Sequence, residues 1–358
     1  QIDSISQLAA RYNIPNEYDK MMTAIGSEGT NAYTSNDVTC YVENIPSNEI
    51  DTWARVQGDR FQNMVIRGFH TELEAVYEEY NIGLSSDWRK VYAALFAKLF
   101  PTHPYGTQTT IGLGEHLKNP SITNIKNYFN KYYVPNNIAI CLSGDLDPDK
   151  TVASIEKYFG NWKPSAHIDV PQFPAQPALT APVDTTVVGK EAPMLFMGWR
   201  ADASKSLQLD TLEVIAQLLS NGQAGLFDLD LSQKLKVQEV SAGIADMDEY
   251  SVFYVYGQPK SGQTLQEVRS LALSEIEKLK KGNFSDDLLP SIVNNYKRYY
   301  YTQLDNNQFR AKQYVDAFIN HKDWKQEVDK LNRISKLTKA EIVKFANQFF
   351  RNDFACVY

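Results

Sequence analysis

The chain of 358 residues lacks the features that mark membrane and disulfide-rich proteins. No run approaches the 18 consecutive apolar residues that a membrane-spanning helix requires. Its three cysteines, Cys40, Cys141 and Cys356, are too few and too far apart for a disulfide framework or a cysteine-type zinc site. We interpret them as small buried hydrophobic residues, which leaves the redox compartment open.

The chain also has fewer basic than acidic residues, with a net charge of −7 and a sequence pI of about 5.4. This balance argues against a nucleic-acid or anionic-membrane partner. The composition, 43% hydrophobic and 22% charged, is ordinary for a globular protein. The chain begins with Gln1 and shows no signal sequence, so we interpret it as an excised piece. Its compartment stays open, with the bacterial periplasm or cell envelope as one alternative.

The length of the chain indicates two domains, or three. Residues 164–182 contain five prolines and no hydrophobic periodicity, which is typical of a linker. We therefore predict a first domain over residues 1–170, a Pro-rich linker over 171–182 and a second domain over 183–358.

Strands and helices occur in similar proportion on both sides of the linker. This predicts an α+β fold of two related domains, each a mostly antiparallel sheet with helices packed on one face. The predicted strands are 34–44, 137–144, 193–200, 237–246, 251–258 and 354–358. The predicted helices are 47–64, 69–81, 88–100, 121–133, 149–159, 207–219, 265–280, 286–304, 308–321 and 339–350.

The helix over residues 69–81 has the most informative pattern. Its apolar members share one stripe at 100° per residue: Leu73, Val76, Tyr77 and Tyr80. Glu74 and Glu78 point away from that stripe, toward water. Glu72 and Glu79 lie two turns apart, roughly 10 Å along the axis, at the edge of the apolar face.

Two interpretations of these carboxylates remain open at this point. A carboxylate at the margin of a core is costly unless something positive meets it, and a carboxylate oxygen is a normal zinc ligand. Acidic helices are, however, most often solvated faces, and Thr71-x-x-Glu74 is an acceptable capping box.

A set of segments, in order along the chain, resembles the N-terminal half of the pitrilysin/insulinase-type zinc metallopeptidases, the M16-like class with an inverted motif. The match covers nearly the whole chain. Its segments are Gly29-Thr30-Asn31-Ala32-Tyr33-Thr34-Ser35, Thr39-Cys40-Tyr41, Ile45-Pro46-Ser47, the helix from Glu72 to Glu79, His103-Pro104-Tyr105-Gly106 and residues 132–137.

The resemblance implies roles for some of these residues. Glu79 would be the third zinc ligand and Glu72 a supporting acid that orients the site. The strand Asn31-Ala32-Tyr33-Thr34 would bind an extended substrate backbone by strand addition, although an ordinary edge strand is the alternative. His70, beside the helix, is predicted to be a capping or packing residue.

The family's H-x-x-E-H motif, which supplies two histidine ligands and the glutamate base, is absent. None of the five histidines lies three or four residues from another. The resemblance places this motif upstream of the strand at Asn31. We therefore expect the 358 residues to be inactive by themselves and their zinc site to be incomplete.

A second difference from the family lies in the later domain. In the family, the equivalent stretch of the complementary half carries an Arg and a Tyr seven residues apart. Ser232 and Glu239 stand at those positions here, so we expect a partner half or subunit to carry the pair. The implied function is one part of a zinc metalloendopeptidase that hydrolyses peptides or unfolded polypeptides in an enclosed chamber. The alternatives are a non-catalytic binding or assembly subunit and an unrelated glycan-binding protein.

Overall fold

The structure is a computed structural model, and it describes residues 4–5, 8, 11–12, 14, 16–118 and 120–358. Two 3₁₀ turns span Ser47–Glu49 and Pro135–Asn137, and a π-turn spans Asp228–Ser232. The other elements are α1 Glu17–Ala24, β1 Glu28–Thr34, β2 Thr39–Asn44, α2 Ile50–Gln62, α3 Phe69–Ser85, α4 Asp87–Leu99, α5 Pro104–Thr107, α6 Gly114–Lys118, α7 Ile122–Tyr132, α8 Pro148–Phe159, β3 Val183–Thr185, β4 Leu195–Ala201, α9 Gln208–Leu219, β5 Glu239–Ala245, β6 Ser251–Gln258, α10 Leu265–Lys280, α11 Leu288–Gln303, α12 Asn307–Ile319, α13 Trp324–Lys336, α14 Lys339–Phe349 and β7 Ala355–Val357.

The chain divides into two compact units. Unit 1 comprises the described residues up to Gly83 together with Thr110–Gln172, and unit 2 comprises Leu84–Thr109 and Phe173–Tyr358. The segment Leu84–Thr109 thus belongs to the second unit, which a continuous first domain over residues 1–170 does not anticipate. The predicted domain boundaries otherwise stay a prediction.

Unit 1 contains one antiparallel hairpin, formed by β1 and β2. The predicted single strand over 34–44 turns at Ser35, whose N–H donates to Val38 O at 2.9 Å, because Asn36 and Asp37 favour a tight turn. The strand predicted at 137–144 is wrong: residues 138–143 form no strand in the described part of the chain. A strand needs a hydrogen-bonded neighbour, and among the described residues of this unit only β1 and β2 pair.

In unit 1, the helices α2 and α8 are joined by hydrogen bonds to one carboxylate and approach closely at one glycine. Asp51 on α2 accepts hydrogen bonds from Ser154 Oγ at 3.0 Å and Tyr158 Oη at 2.8 Å, both on α8. These hydrogen bonds hold the pKa of the Asp51 carboxyl below its usual value. A Cβ at Gly58 would lie only 3.0 Å from Tyr158 O, so glycine permits this close approach.

Unit 2 contains a five-stranded sheet of order β3-β7-β4-β6-β5. Only the β3–β7 pair is parallel. Trp199 and Phe253 are buried on one face beneath the helices of the unit, and Phe196 is buried on the other face beneath α4. Each large side chain buried in this way stabilises the fold by about 1.5–3 kcal/mol. This sheet is therefore covered by helices on both faces, which explains why β4 is apolar along almost its whole length.

The predicted α+β class, with antiparallel sheets and helices, is confirmed. The helix α13, Trp324–Lys336, was not predicted, although Trp324, Val328, Leu331 and Ile334 recur at helical spacing and Asp323 caps its first turn. The described parts of the two units differ in strand number, two against five. No helix in the described ranges is long and apolar enough to cross a membrane.

Candidate functional site

The helix predicted to carry the acidic site is α3, Phe69–Ser85. Its first hydrogen bond joins Glu72 N–H to Gly68 O at 3.1 Å, and Gly68 has a φ of 62°, which glycine adopts without strain. The helix begins two residues before Thr71, so Thr71 lies inside the first turn and is not its N-cap. The capping-box interpretation of Glu74 is therefore wrong.

The side chains of α3 follow the predicted wheel. The apolar stripe is half-buried, and the members of this stripe are Leu73, Val76, Tyr77 and Tyr80. Glu74 and Glu78 are exposed, as predicted. Glu72 and Glu79 are exposed as well, because no residue of α3 is buried and the margin of its apolar face is open to water. Their roles as supporting acid and zinc ligand stay a prediction.

The described residues do not provide a zinc site by themselves. No group of three or more His, Cys, Asp or Glu residues that could hold a metal occurs in the part of the chain that the structure describes. His70 is exposed and its ring lies 5.5 Å from that of Phe69, and its capping or packing role stays a prediction. Because zinc takes four ligands in structural sites and three protein ligands in catalytic ones, Glu79 and Glu72 alone do not fit it.

The predicted substrate-binding residues, Asn31, Ala32, Tyr33 and Thr34, lie on β1 and are all exposed. Asn31 Oδ1 accepts a hydrogen bond from Ala32 N–H at 2.8 Å. The register of the hairpin shifts between Glu28 and Asn31, which is typical of a β-bulge. Since β1 lies at an edge of a two-stranded sheet, its position is compatible with strand addition, and substrate binding stays a prediction.

A polar network that the sequence did not reveal fixes β2, and therefore the hairpin, to two helices. The Glu43 carboxylate on β2 accepts hydrogen bonds from Tyr18 Oη on α1 and from Trp53 Nε1 and Gln57 Nε2 on α2. Gln57 is only 3% exposed and approaches Glu43 Oε1 at 2.8 Å. Burial, together with the hydrogen bond to Glu43, raises the pKa of Tyr18 to about 12.

The segment His103-Pro104-Tyr105-Gly106 forms the start of unit 2's short helix α5. His103 is 1% exposed and its Nδ1 accepts the Tyr105 N–H at 3.2 Å, so the imidazole caps α5. Its Nε2 lies 3.0 Å from Glu249 Oε2. A Cβ at Gly106 would lie 2.5 Å from Phe96 O and closer still to Phe100 O, so no other residue fits there.

Ser232 and Glu239, at the positions of the family's Arg and Tyr, flank the turn before β5. Ser232 ends the π-turn and Glu239 is exposed at the start of β5. The π-turn is tied to α10, because Asp230 Oδ2 accepts from Lys278 Nζ at 2.7 Å. Hydrogen bonds from Lys234 and Lys278 lower the pKa of Asp230 to about 2. Neither Ser232 nor Glu239 can replace the charge of an Arg or the phenol of a Tyr.

Comparison with known proteins shows which proteins this chain is similar to. Residues 121–296 match the family model described as the peptidase M16 inactive domain. Together with the relatives described next, this confirms the resemblance given by the sequence: the chain is a relative of the M16-type zinc peptidases.

Bacterial proteins are among the particular relatives. The chain is 24% identical over 354 residues to the zinc protease PqqE of Helicobacter pylori, which covers 94% of this chain and 77% of that protein. The crystal structure of a protease from Helicobacter pylori has a TM-score of 0.88 at 22% identity, over 95% of this chain and 84% of the other. The first half of the periplasmic protease PqqL from Escherichia coli has a TM-score of 0.77 at 13% identity, over 96% and 78% of the two chains.

Proposed function

We propose that this chain is part of a zinc-dependent metalloendopeptidase that hydrolyses peptides or unfolded polypeptides in an enclosed chamber. The observation that carries the proposal is the match over 94% of the chain to a relative named a zinc protease. The exposed pair Glu72 and Glu79 on α3 and the edge strand β1 support it, since both are accessible to a ligand.

Glu79 contributes one zinc ligand in this proposal, and Glu72 orients it. The two histidine ligands and the glutamate base come from an H-x-x-E-H segment outside these 358 residues. The reason is chemical: none of the five histidines in the chain has the spacing that brings two imidazoles to one helix face. Two such histidines together with Glu79 would hold the zinc ion, which would lower the pKa of water at that site toward neutrality.

A complementary half or partner subunit supplies the Arg and Tyr that are absent at Ser232 and Glu239. Those groups contact the substrate near its scissile carbonyl. Losing one donor to a developing oxyanion typically costs about 3 kcal/mol, so removing that Arg lowers turnover by about two orders of magnitude while zinc stays bound.

As the relative from Escherichia coli is named periplasmic, we propose the periplasm or cell envelope for this chain also.

Peptide cleavage tests the proposal. A quenched fluorogenic peptide is incubated with the 358-residue chain alone and with the same chain joined to an H-x-x-E-H segment, in the presence and absence of the partner half. Chelator-sensitive cleavage is expected only when the motif and the partner half are both present. Cleavage by the 358 residues alone would show that the active site has been misplaced. Full-rate cleavage without the partner half would refute the partner-half proposal.

A second candidate function, a non-catalytic binding or assembly subunit, is favoured by one observation. The family model matched by residues 121–296 is described as an inactive domain. In that case a fluorescently labelled unfolded peptide binds the chain with the same affinity in the presence of a chelator, and no upstream motif restores cleavage.

A further inference from the structure

Two carboxylates in unit 2 bind the same lysine. Lys278 Nζ on α10 donates to Asp230 Oδ2 of the π-turn at 2.7 Å and to Glu275 Oε1 of its own helix at 2.9 Å. The two carboxyls therefore lie beside one ammonium group, within hydrogen-bonding reach of each other once one of them carries a proton. None of the three residues lies on α3 or β1, the elements of the proposed peptidase site.

The surroundings of the two acids differ. Glu275 is only 2% exposed, and its buried Oε2 accepts no hydrogen bond from the described residues. The Asp230 side chain is 22% exposed and binds a second ammonium, because Lys234 Nζ donates to its Oδ1 at 2.6 Å. The buried acid thus shares its one cation, whereas the more exposed acid has two.

This difference decides which acid takes up a proton first. Burial of the carboxyl, together with the nearby Asp230 charge, raises the pKa of Glu275, and the hydrogen bond from Lys278 opposes this rise without cancelling it. Asp230, held by its two lysines, stays ionised down to a pKa of about 2. Two adjacent acids of this kind take up protons in separate steps, and the first proton goes to the less solvated carboxyl.

We infer that Glu275 and Asp230 share one proton, and that this proton sets how firmly the π-turn is held on α10. With the proton in place, the Glu275 hydroxyl donates to Asp230 while Lys278 still pairs with Asp230, so two contacts join the turn to the helix. Without it, two carboxylates repel each other beside one ammonium, and Glu275 has a buried charge. Leu231, fully buried in the same turn, keeps the turn formed in both states, so the proton changes how often the turn opens.

The raised pKa of Glu275 gives the sign of the pH dependence. Because the folded pKa lies above the ordinary value of 4.5, the stability that this group contributes is complete below pH 4.5. It is lost as the pH rises through the folded pKa and stays lost above it. The π-turn should therefore open less often at about pH 4.5 than at about pH 8.

Glu275→Gln imitates the protonated state at every pH, because its amide is neutral and its NH₂ group can donate to Asp230. Hydrogen exchange over residues 226–238 is read by mass spectrometry in the 358-residue chain. The exchange rate of the unsubstituted chain is divided by that of Glu275→Gln at the same pH. This ratio should be constant below about pH 4.5 and rise at least about threefold by about pH 8, the factor for a pKa raised by about 0.5. A ratio that stays constant or falls over this range would overturn the inference.

Glu277→Gln is the matched control, because Glu277 is also on α10 and also pairs with a lysine, Lys280, but its side chain is 52% exposed. The corresponding ratio for Glu277→Gln should not change with pH, and a rise equal to that for Glu275→Gln would contradict the assignment.

Infrared spectroscopy detects the proton itself and needs no variant. A protonated carboxyl has a C=O stretch that a carboxylate lacks, and in the unsubstituted chain this band should persist to a higher pH than in the urea-unfolded chain. It should persist equally in Glu277→Gln and be lost from Glu275→Gln. Disappearance of the band at the same pH in the folded and unfolded chains would refute the shared proton.

Discussion

Replacing Glu43 by Ala should loosen the β1–β2 hairpin that we propose as the substrate-binding edge. The Glu43 carboxylate accepts hydrogen bonds from Tyr18, Trp53 and Gln57. The net contribution of a hydrogen bond to a charged group to folding stability is about 1.5–3 kcal/mol, and the contributions of these three bonds are not additive. Tyr18 and Trp53 are half-buried and can turn to water, whereas Gln57 is only 3% exposed and cannot. We therefore expect a loss of about 2–4 kcal/mol.

Hydrogen exchange read by mass spectrometry measures this loss locally, on peptides that cover residues 28–44. A loss of 2 kcal/mol corresponds to exchange about thirtyfold faster, provided that these amides exchange by opening of the hairpin. Glu49→Ala is the control, because in the described chain the Glu49 carboxylate accepts only from the neighbouring Asn48, at 3.0 Å, and is not part of the network. Unchanged exchange in Glu43→Ala, or an equal acceleration in the control, would show that the network does not anchor the hairpin.

Two further perturbations concern unit 2. Asp230→Asn should lower the urea midpoint at pH 7, and the difference from the unsubstituted chain should vanish as the pH falls from about 4 toward about 2. The reason is that the folded pKa of Asp230, about 2, lies below its ordinary value of 3.8. A difference that persists at pH 2 would contradict this. Gly106→Ala should lower stability by about 3 kcal/mol or more, because its Cβ would meet the Phe96 carbonyl at 2.5 Å, and α4 cannot move away cheaply. A midpoint unchanged within 1 °C would refute the predicted clash.

Local patterns could be predicted from the sequence where the determinants are themselves local. The stripe of α3 lies where the 100° wheel puts it, and β6 and α10 have the predicted bounds, 251–258 and 265–280. In α10 the capping box of Thr264 and Glu267 fixes the first turn from within four residues of sequence.

What the sequence could not reveal depends on partners far away along the chain. Glu43 looks like one polar residue in an alternating strand, because Tyr18 and Gln57 lie 25 and 14 residues away. Asp87 accepts hydrogen bonds from the backbone of Lys190 and Glu191, and these contacts draw α4 into unit 2. No periodicity encodes such pairs.

The role of Glu79 could not be predicted from the helical pattern for a different reason. The wheel placed its carboxylate at the margin of an apolar face, and the structure shows that margin to be exposed to water. A ligand role needs further donor groups, and in the described part of the chain no third His, Cys, Asp or Glu joins it. Local geometry alone therefore cannot distinguish a zinc ligand from a solvated glutamate.

Zinc content in the presence of an H-x-x-E-H segment tests the role of Glu79 most directly. The chain joined to that segment is dialysed against a zinc buffer, and bound zinc is measured by atomic emission for the unsubstituted protein, Glu79→Gln and Glu78→Gln. Glu78 is the matched control, because it is adjacent on α3 and equally exposed. About one zinc per chain is expected in the unsubstituted protein and in Glu78→Gln, with a large loss in Glu79→Gln. Full zinc occupancy in Glu79→Gln, or equal loss in both variants, would contradict the assignment.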